Sequence, residues 1–371
     1  MPIFRRLAAA ALLAAGVVCS LGAQSTDPAA DRGFAALQRG DADAAAAVFQ
    51  SALALRPRDA VLLYGAGLAA HLQGRDDDAV RLLKRALDAE PRLTQAAVVL
   101  GEIAYRLGDL DLAVKTYEKV LAQTPSNMAV RARLDAWRAE ADVEGRFEAY
   151  KDDRFTIMFS GPAQHQLAAH ATATMGAAFF RIAGTLGSAP SAPIRVVFYT
   201  ERQFQDITGA PEWAGGGFDG QIRMPLGGAS QDLPEFDRVL THELTHAMVH
   251  AVAPRNVPAW LHEGLAMRFE PHDPAAARRL LADAHVFVPL DALQQGFMRL
   301  SAPQAAVAYE ESAFAVSVLL DRIGSHGLAA LLQDLSAGQT LEQAIERFGF
   351  TFAAFESDLS RRVGAQPAAR R

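Results

Sequence analysis

The stretch LTHELTHAMVH, Leu240 to His250, sets His242 and His246 four residues apart with Glu243 between them, and adds His250 four further on. On a helix this spacing puts the first two imidazoles about 40° apart around the axis and about 6 Å apart along it. Both can then reach one metal ion at the zinc to nitrogen distance of about 2 Å. Glu243, about 100° round from His242, faces a water beside the ion rather than the ion itself. That is the place of a general base, which takes a proton from a water acidified by the cation and returns it to a leaving amine. His250 lies about 12 Å along the axis from His242, too far to share a tetrahedral ion, and reads as a satisfied or exposed histidine.

A third ligand must come from elsewhere. NVPAWLHEGLAMRFE starts a new helix after Pro258, and its Glu263 follows His246 by 17 residues. That is enough for the first helix to end, turn at APRNVP and return antiparallel, with Trp260 and Leu261 packing inward and Gly264 and Ala266 permitting close approach. The predicted centre is His242, His246 and Glu263 around one zinc ion, with a fourth position open to water.

The elements that must hold this pair of helices are legible on both sides. DLPEFDRVLTHELTHAMVHAVAP opens with acidic residues suited to a helix start, and Val239, Leu240, Leu244, Met248 and Val249 follow helical spacing. Upstream, RFTIMFS and PIRVVFYT read as strands flanking the long helix QLAAHATATMGAAFFRIAGTLG. GAPEWAGGGFDGQIRMP reads as a glycine cluster leading into one strand, from about Gly217 to Met224, at a sheet edge. From Pro274 to about Val363 the pattern is helical.

Before residue 150 the chain repeats. Gly33, Gly67 and Gly101 are spaced by 34, as are Gly40, Gly74 and Gly108, then Ala45, Ala79 and Ala113, then Pro57, Pro91 and Pro125. Each unit reads as two amphipathic helices with a turn at RGDAD, QGRDD or LGDLD and a closing proline. This resembles the tetratricopeptide repeat in three copies over 28–127, without the tryptophan sometimes found early in the unit. The resemblance implies an all-α solenoid whose concave face takes a peptide or protein partner. Residues 128–150 read as a capping and linking helix.

The motif HELTH together with WLHEGLA resembles the gluzincin metallopeptidases, in particular the peptidase MA-like domains, over 151–365. The resemblance implies a multidomain protein, a solenoid followed by an α+β zincin-like domain, that hydrolyses peptide bonds. It carries His242, His246 and Glu263 over as zinc ligands and Glu243 as catalytic base. It also implies Tyr309, at the start of a helix 46 residues beyond Glu263, as a second electrophile for the developing oxyanion. In this superfamily a strand such as GGGFDGQIRM binds substrate along its edge. The stretch lacks the glutamate motif with which M1 aminopeptidases hold a free amino terminus, which favours an endopeptidase. Some gluzincins carry an aspartate four residues after the third ligand; Met267 stands there, so no partner that orients the zinc histidines is named. His262 and His272 read as surface residues.

Residues 1–23 combine Arg5 and Arg6 with an apolar run, Leu7 to Leu21, and small residues at Gly22 and Ala23. This reads as a cleaved secretory signal, shorter than the roughly 20 apolar residues that span a bilayer. A periplasmic or secreted protein without a stable membrane anchor is expected. The only cysteine, Cys19, lies inside that segment, so neither disulfides nor thiol chemistry are expected. Loss of the segment moves the formal charge from −6 to −8, because it holds two arginines and no acids. A mildly acidic chain gives no support for nucleic-acid binding. Residues 366–371 read as a disordered tail. The alternative reading is a repeat-based scaffold with a vestigial or structural metal site.

Overall fold

The computed structural model describes residues 27–161, 164–210, 215–226, 232–271, 281, 286–294, 296–297, 300–363 and 366–367. The expected signal segment 1–23 and His272 lie outside them.

The 34-residue period has a steric origin. Helices α1 (Pro28–Gln38) and α2 (Ala42–Leu55), α3 (Ala60–Leu72) and α4 (Asp76–Ala89), and α5 (Thr94–Arg106) and α6 (Leu110–Gln123) form three hairpins. The glycine in each first helix admits the large residue of the second. A Cβ at Gly33 would come within 2.4 Å of Phe49, at Gly67 within 2.9 Å of Leu83, and at Gly101 within 2.5 Å of Tyr117. Gly40, Gly74 and Gly108 close the first helices at φ 77°, 72° and 77°, where a side chain is strained. Helix α7 (Met128–Glu144) seals the last hairpin, its Trp137 ring stacking on Tyr105 at 5.0 Å.

Five short strands follow: β1 (Glu148–Lys151), β2 (Phe155–Phe159), β3 (Ile194–Tyr199), β4 (Gly217–Phe218) and β5 (Ile222–Pro225). Helix α8 (His165–Leu186) connects β2 to β3, and α9 (Glu201–Thr208) follows β3. The sheet order is β1-β2-β3-β5-β4, with a parallel centre and antiparallel edges. Strand β2 alternates, burying Phe155, Ile157 and Phe159. These join Met175, Ile182, Leu240 and Leu244 in one core beneath the sheet. The single strand expected from Gly217 to Met224 is instead two strands. Gly220, at φ 110°, turns the chain between them, so β4 is the edge and β5 lies inside the sheet. Strand β1 and helix α9 were not anticipated.

Helices α10 (Leu233–Val252), α11 (Ala259–Phe269) and α12 (Ala302–Ser336), the last broken at Gly324, complete the core with α13 (Leu341–Glu346) and α14 (Phe352–Val363). The expected disordered tail is corrected at Gln366–Pro367. These residues form β7, which pairs in parallel with β6 (Val286–Phe287) through backbone hydrogen bonds that no side-chain pattern announces.

The repeats pack directly on the sheet. A Cβ at Gly74 would meet Pro254 at 2.3 Å and one at Gly108 would meet Arg195 at 2.5 Å, so the row of turns between paired helices lies against the second half of the chain. Beneath them sits a buried polar cluster. Arg223 of β5 pairs with Glu140 of α7, donates to Tyr199 Oη at 2.8 Å, and reaches both Asp219 oxygens at 3.2 Å. Tyr199 Oη donates to Glu144 at 2.5 Å, Arg195 donates to the other Glu144 oxygen at 2.5 Å, and Tyr105 donates to Glu140 at 2.9 Å. Burial raises the Glu140 pKa against the pull of Arg223, with Glu144 adding to the rise. Removing the arginine leaves the buried Glu140 without its cationic partner, so Arg223→Ala is expected to destabilise the chain by about 3–5 kcal/mol. Chemical denaturation checks this; an unchanged midpoint would show that the cluster contributes nothing.

Candidate metal centre

Helix α10 begins where Asp232 accepts a hydrogen bond from the Glu235 N–H at 3.1 Å, with proline in its first turn. It ends at Val252, and Asn256, at φ 59°, helps reverse the chain before Pro258 opens α11. Trp260 and Leu261 are fully buried and anchor α11. Gly264 lets it lie against α12, because a Cβ there would meet the Ser312 carbonyl oxygen at 2.3 Å. The turn and the glycine together fix where Glu263 points.

Glu263 Oε2 lies 3.5 Å from His242 Nε2 and 3.4 Å from His246 Nε2, and the two imidazole nitrogens are 3.0 Å apart. Potential ligand atoms from all three residues fall within 4.8 Å of one another. Glu263 Oε2 is buried and has no hydrogen-bond partner. An orphaned carboxylate oxygen facing two imidazole nitrogens is a donor set that a divalent cation fits, and the mixture of nitrogen and oxygen suits zinc. The charges agree. Although burial opposes its imidazolium, His242 is pushed up to about 10 by the nearby Glu263 carboxylate, by its hydrogen bond to Glu270 and by the Glu243 charge. Burial opposes ionisation of Glu263, but the pull of His246 and the closeness of both imidazoles hold its carboxyl well below the usual range. Glu263 is therefore an ionised carboxylate facing the two imidazoles.

Glu243 is buried on the same helix. Burial pushes its carboxyl up, against the opposing pull of His246 and His242. A Cβ at Gly216 would lie 3.4 Å from Glu243 Cγ, so the segment entering β4 runs alongside this carboxylate. Tyr309 on α12 is half-buried, its ring edge-on to Phe297 at 4.7 Å. Burial first, then the charges of Glu263, Glu243 and Glu270, raise its pKa, which places the phenol within the electrostatic reach of the centre. His250 stands apart from the cluster. Its ring packs tilted against Phe218 of β4 at 5.6 Å, and it feels Arg106, Asp76 and His71 of the repeats.

Two residues that hold the imidazoles escaped sequence reasoning. Glu270 Oε1 is 2.5 Å from His242 Nδ1, while its other oxygen takes Arg238 Nη1 at 2.5 Å. It lies seven residues beyond Glu263, two helical turns on and so on the same face, whereas Met267 stands four residues on, where some gluzincins carry an aspartate. His262, read as a surface residue, is instead partly buried with Nδ1 2.6 Å from His246 Nδ1. The antiparallel return of α11 turns it inward beside Glu263. Burial and the His246 charge push its pKa down to about 3.

A helix bearing H-E-x-x-H, a second helix returning a glutamate to it, and a small mixed sheet above define a peptidase-like class. Residues 172–364, just over half of the chain, match the Peptidase MA superfamily, and the chain belongs to that superfamily. Residues 31–92 and 77–127 match the tetratricopeptide repeat. The Hsp70-Hsp90 organizing protein of Triticum aestivum is 34% identical over 137 residues, covering 37% of this chain and 24% of that protein. The chain thus spans about a quarter of that relative.

If Glu270 orients His242, Glu270→Ala should weaken the affinity of the centre for a divalent cation about 10–100-fold while the protein stays folded. Competition with a metal chelator measures it, and unchanged affinity would remove Glu270 from the centre.

Proposed function

We propose that this chain is an exported, zinc-dependent metallopeptidase of gluzincin type that cleaves internal peptide bonds, with its repeats engaging the substrate or a partner protein. The observation that carries this reading is the convergence of His242, His246 and an otherwise unpartnered Glu263 oxygen beside the buried Glu243.

His242 Nε2, His246 Nε2 and a Glu263 oxygen would hold the ion. Zinc bound there supplies a polarising charge for the substrate carbonyl and brings the pKa of a water near neutrality. Glu243 is the base. Its carboxylate accepts a proton from the attacking water and delivers it to the nitrogen of the departing amine. A carboxyl raised by burial suits a group that must take a proton and then give it back. Tyr309, kept protonated by burial and by the carboxylates around it, donates its O–H to the carbonyl oxygen as negative charge grows there.

Strand β4 is one of the two edge strands of the sheet among the described residues, β1 being the other, and its entry segment passes beside Glu243. An extended peptide adding to that edge by main-chain hydrogen bonds would lay its carbonyls across the centre. Pairing along an edge needs no free amino terminus, which supports an endopeptidase. The repeats pack against the β4–β5 turn through Gly220, where a Cβ would meet the Arg106 carbonyl oxygen at 2.5 Å. A protein held by the repeats would therefore sit close to the substrate edge. The likeness to a protein named for organising Hsp70 and Hsp90 supports a protein rather than a small molecule as the ligand of the repeats.

The test is zinc content together with cleavage of a peptide library by the mature protein and by Glu243→Gln. The variant should keep its zinc and lose at least about a hundredfold in kcat, the usual size of a general-base contribution. Zinc without cleavage in the wild type would favour a scaffold, and absence of zinc would refute the site.

A further inference from the structure

We infer that His262 is the positioning residue for His246, accepting the His246 Nδ1–H at its own Nδ1 and so holding His246 in the tautomer that offers Nε2 to the metal. The inference rests on the zinc reading of the centre.

The geometry leaves little freedom. His246 Nε2 faces His242 Nε2 at 3.0 Å and Glu263 Oε2 at 3.4 Å, while its other nitrogen, Nδ1, lies 2.6 Å from His262 Nδ1. Two ring nitrogens at that separation hold one proton between them and have no room for two. A neutral imidazole with a lone pair at Nε2 carries its hydrogen at Nδ1. The direction is therefore fixed. His246 donates, His262 accepts, and His262 carries its own hydrogen at Nε2.

The two zinc histidines are thus held by chemically different partners. His242 meets the Glu270 carboxylate, itself paired to Arg238, whereas His246 meets a neutral imidazole. Holding both histidines with carboxylates would add a further buried negative charge beside Glu243 and Glu263; an imidazole supplies an acceptor without one. Helix α11 delivers ligand and acceptor as adjacent residues, and the buried Trp260 and Leu261 fix both.

Asparagine and leucine separate acceptor from volume at this position. Asn Oδ1 is bonded as His Nδ1 is, through Cβ and Cγ, so His262→Asn keeps an acceptor where the proton lies; His262→Leu fills space and leaves the His246 N–H unpaired. Zinc affinity is measured on metal-free wild type and both variants by chelator competition, and ring protonation on zinc-loaded, 15N-histidine-labelled wild type by NMR. His262→Leu should bind zinc about 10–100-fold more weakly, and His262→Asn should recover most of that loss. The spectrum should place hydrogen on His246 Nδ1 and none on His262 Nδ1. Equal affinity in wild type and His262→Leu, a loss in His262→Asn as large as in His262→Leu, or hydrogen on His262 Nδ1 would each overturn the inference. The labelled wild type decides even if a variant fails to fold. Failure of the wild type to take zinc would refute the metal reading itself, a result distinct from any difference among variants.

Discussion

The approach of Glu263 to two imidazole nitrogens is the constraint on which the rest of this structure depends. A carboxylate oxygen buried without a hydrogen-bond donor is costly, and here it lies about as far from each histidine as a shared cation requires. Everything around it limits that cost. The chain reverses at Asn256, Trp260 anchors the returning helix, and Gly264 brings the helix against α12. Glu270 and His262 then take up the remaining imidazole nitrogens. A site of this kind is held by rigid helices rather than by loops, which is where the geometry of ligands is kept most closely.

The same logic reaches outward to the repeats. Strand β5 adjoins the edge strand that passes Glu243, and its Arg223 is buried among acids supplied by α7. The solenoid therefore serves as part of the wall behind the sheet as well as a surface for a partner. Its turn glycines do double service: they end helices, and at Gly74 and Gly108 they let the rest of the chain approach. Removing the solenoid would uncover a charged arginine and a tyrosine that the sheet cannot satisfy alone.

Much of this was legible in the sequence because it was written in local periodicity. The 34-residue columns announced helix pairs, since Gly33, Gly67 and Gly101 each face the large residue 16 positions later. The four-residue spacing of His242 and His246 and the return to Glu263 likewise rest on helix geometry alone. Less legible was whatever depends on contacts between distant segments. His262 turns inward only because α11 returns antiparallel, and Glu270 lies one turn beyond Met267. The β4–β5 turn was hidden because Gly220 interrupts what reads as one continuous strand. Nothing local in Glu140, Glu144 or Arg223 marks them as partners, since they lie about 80 residues apart.

The most direct measurement is the anomalous X-ray signal at the zinc edge from crystals of the protein grown with zinc. The account predicts a single strong peak among His242 Nε2, His246 Nε2 and Glu263, with Glu243 alongside but not bonded to the ion. No peak at that position, or a metal held instead by His262 or His250, would contradict it.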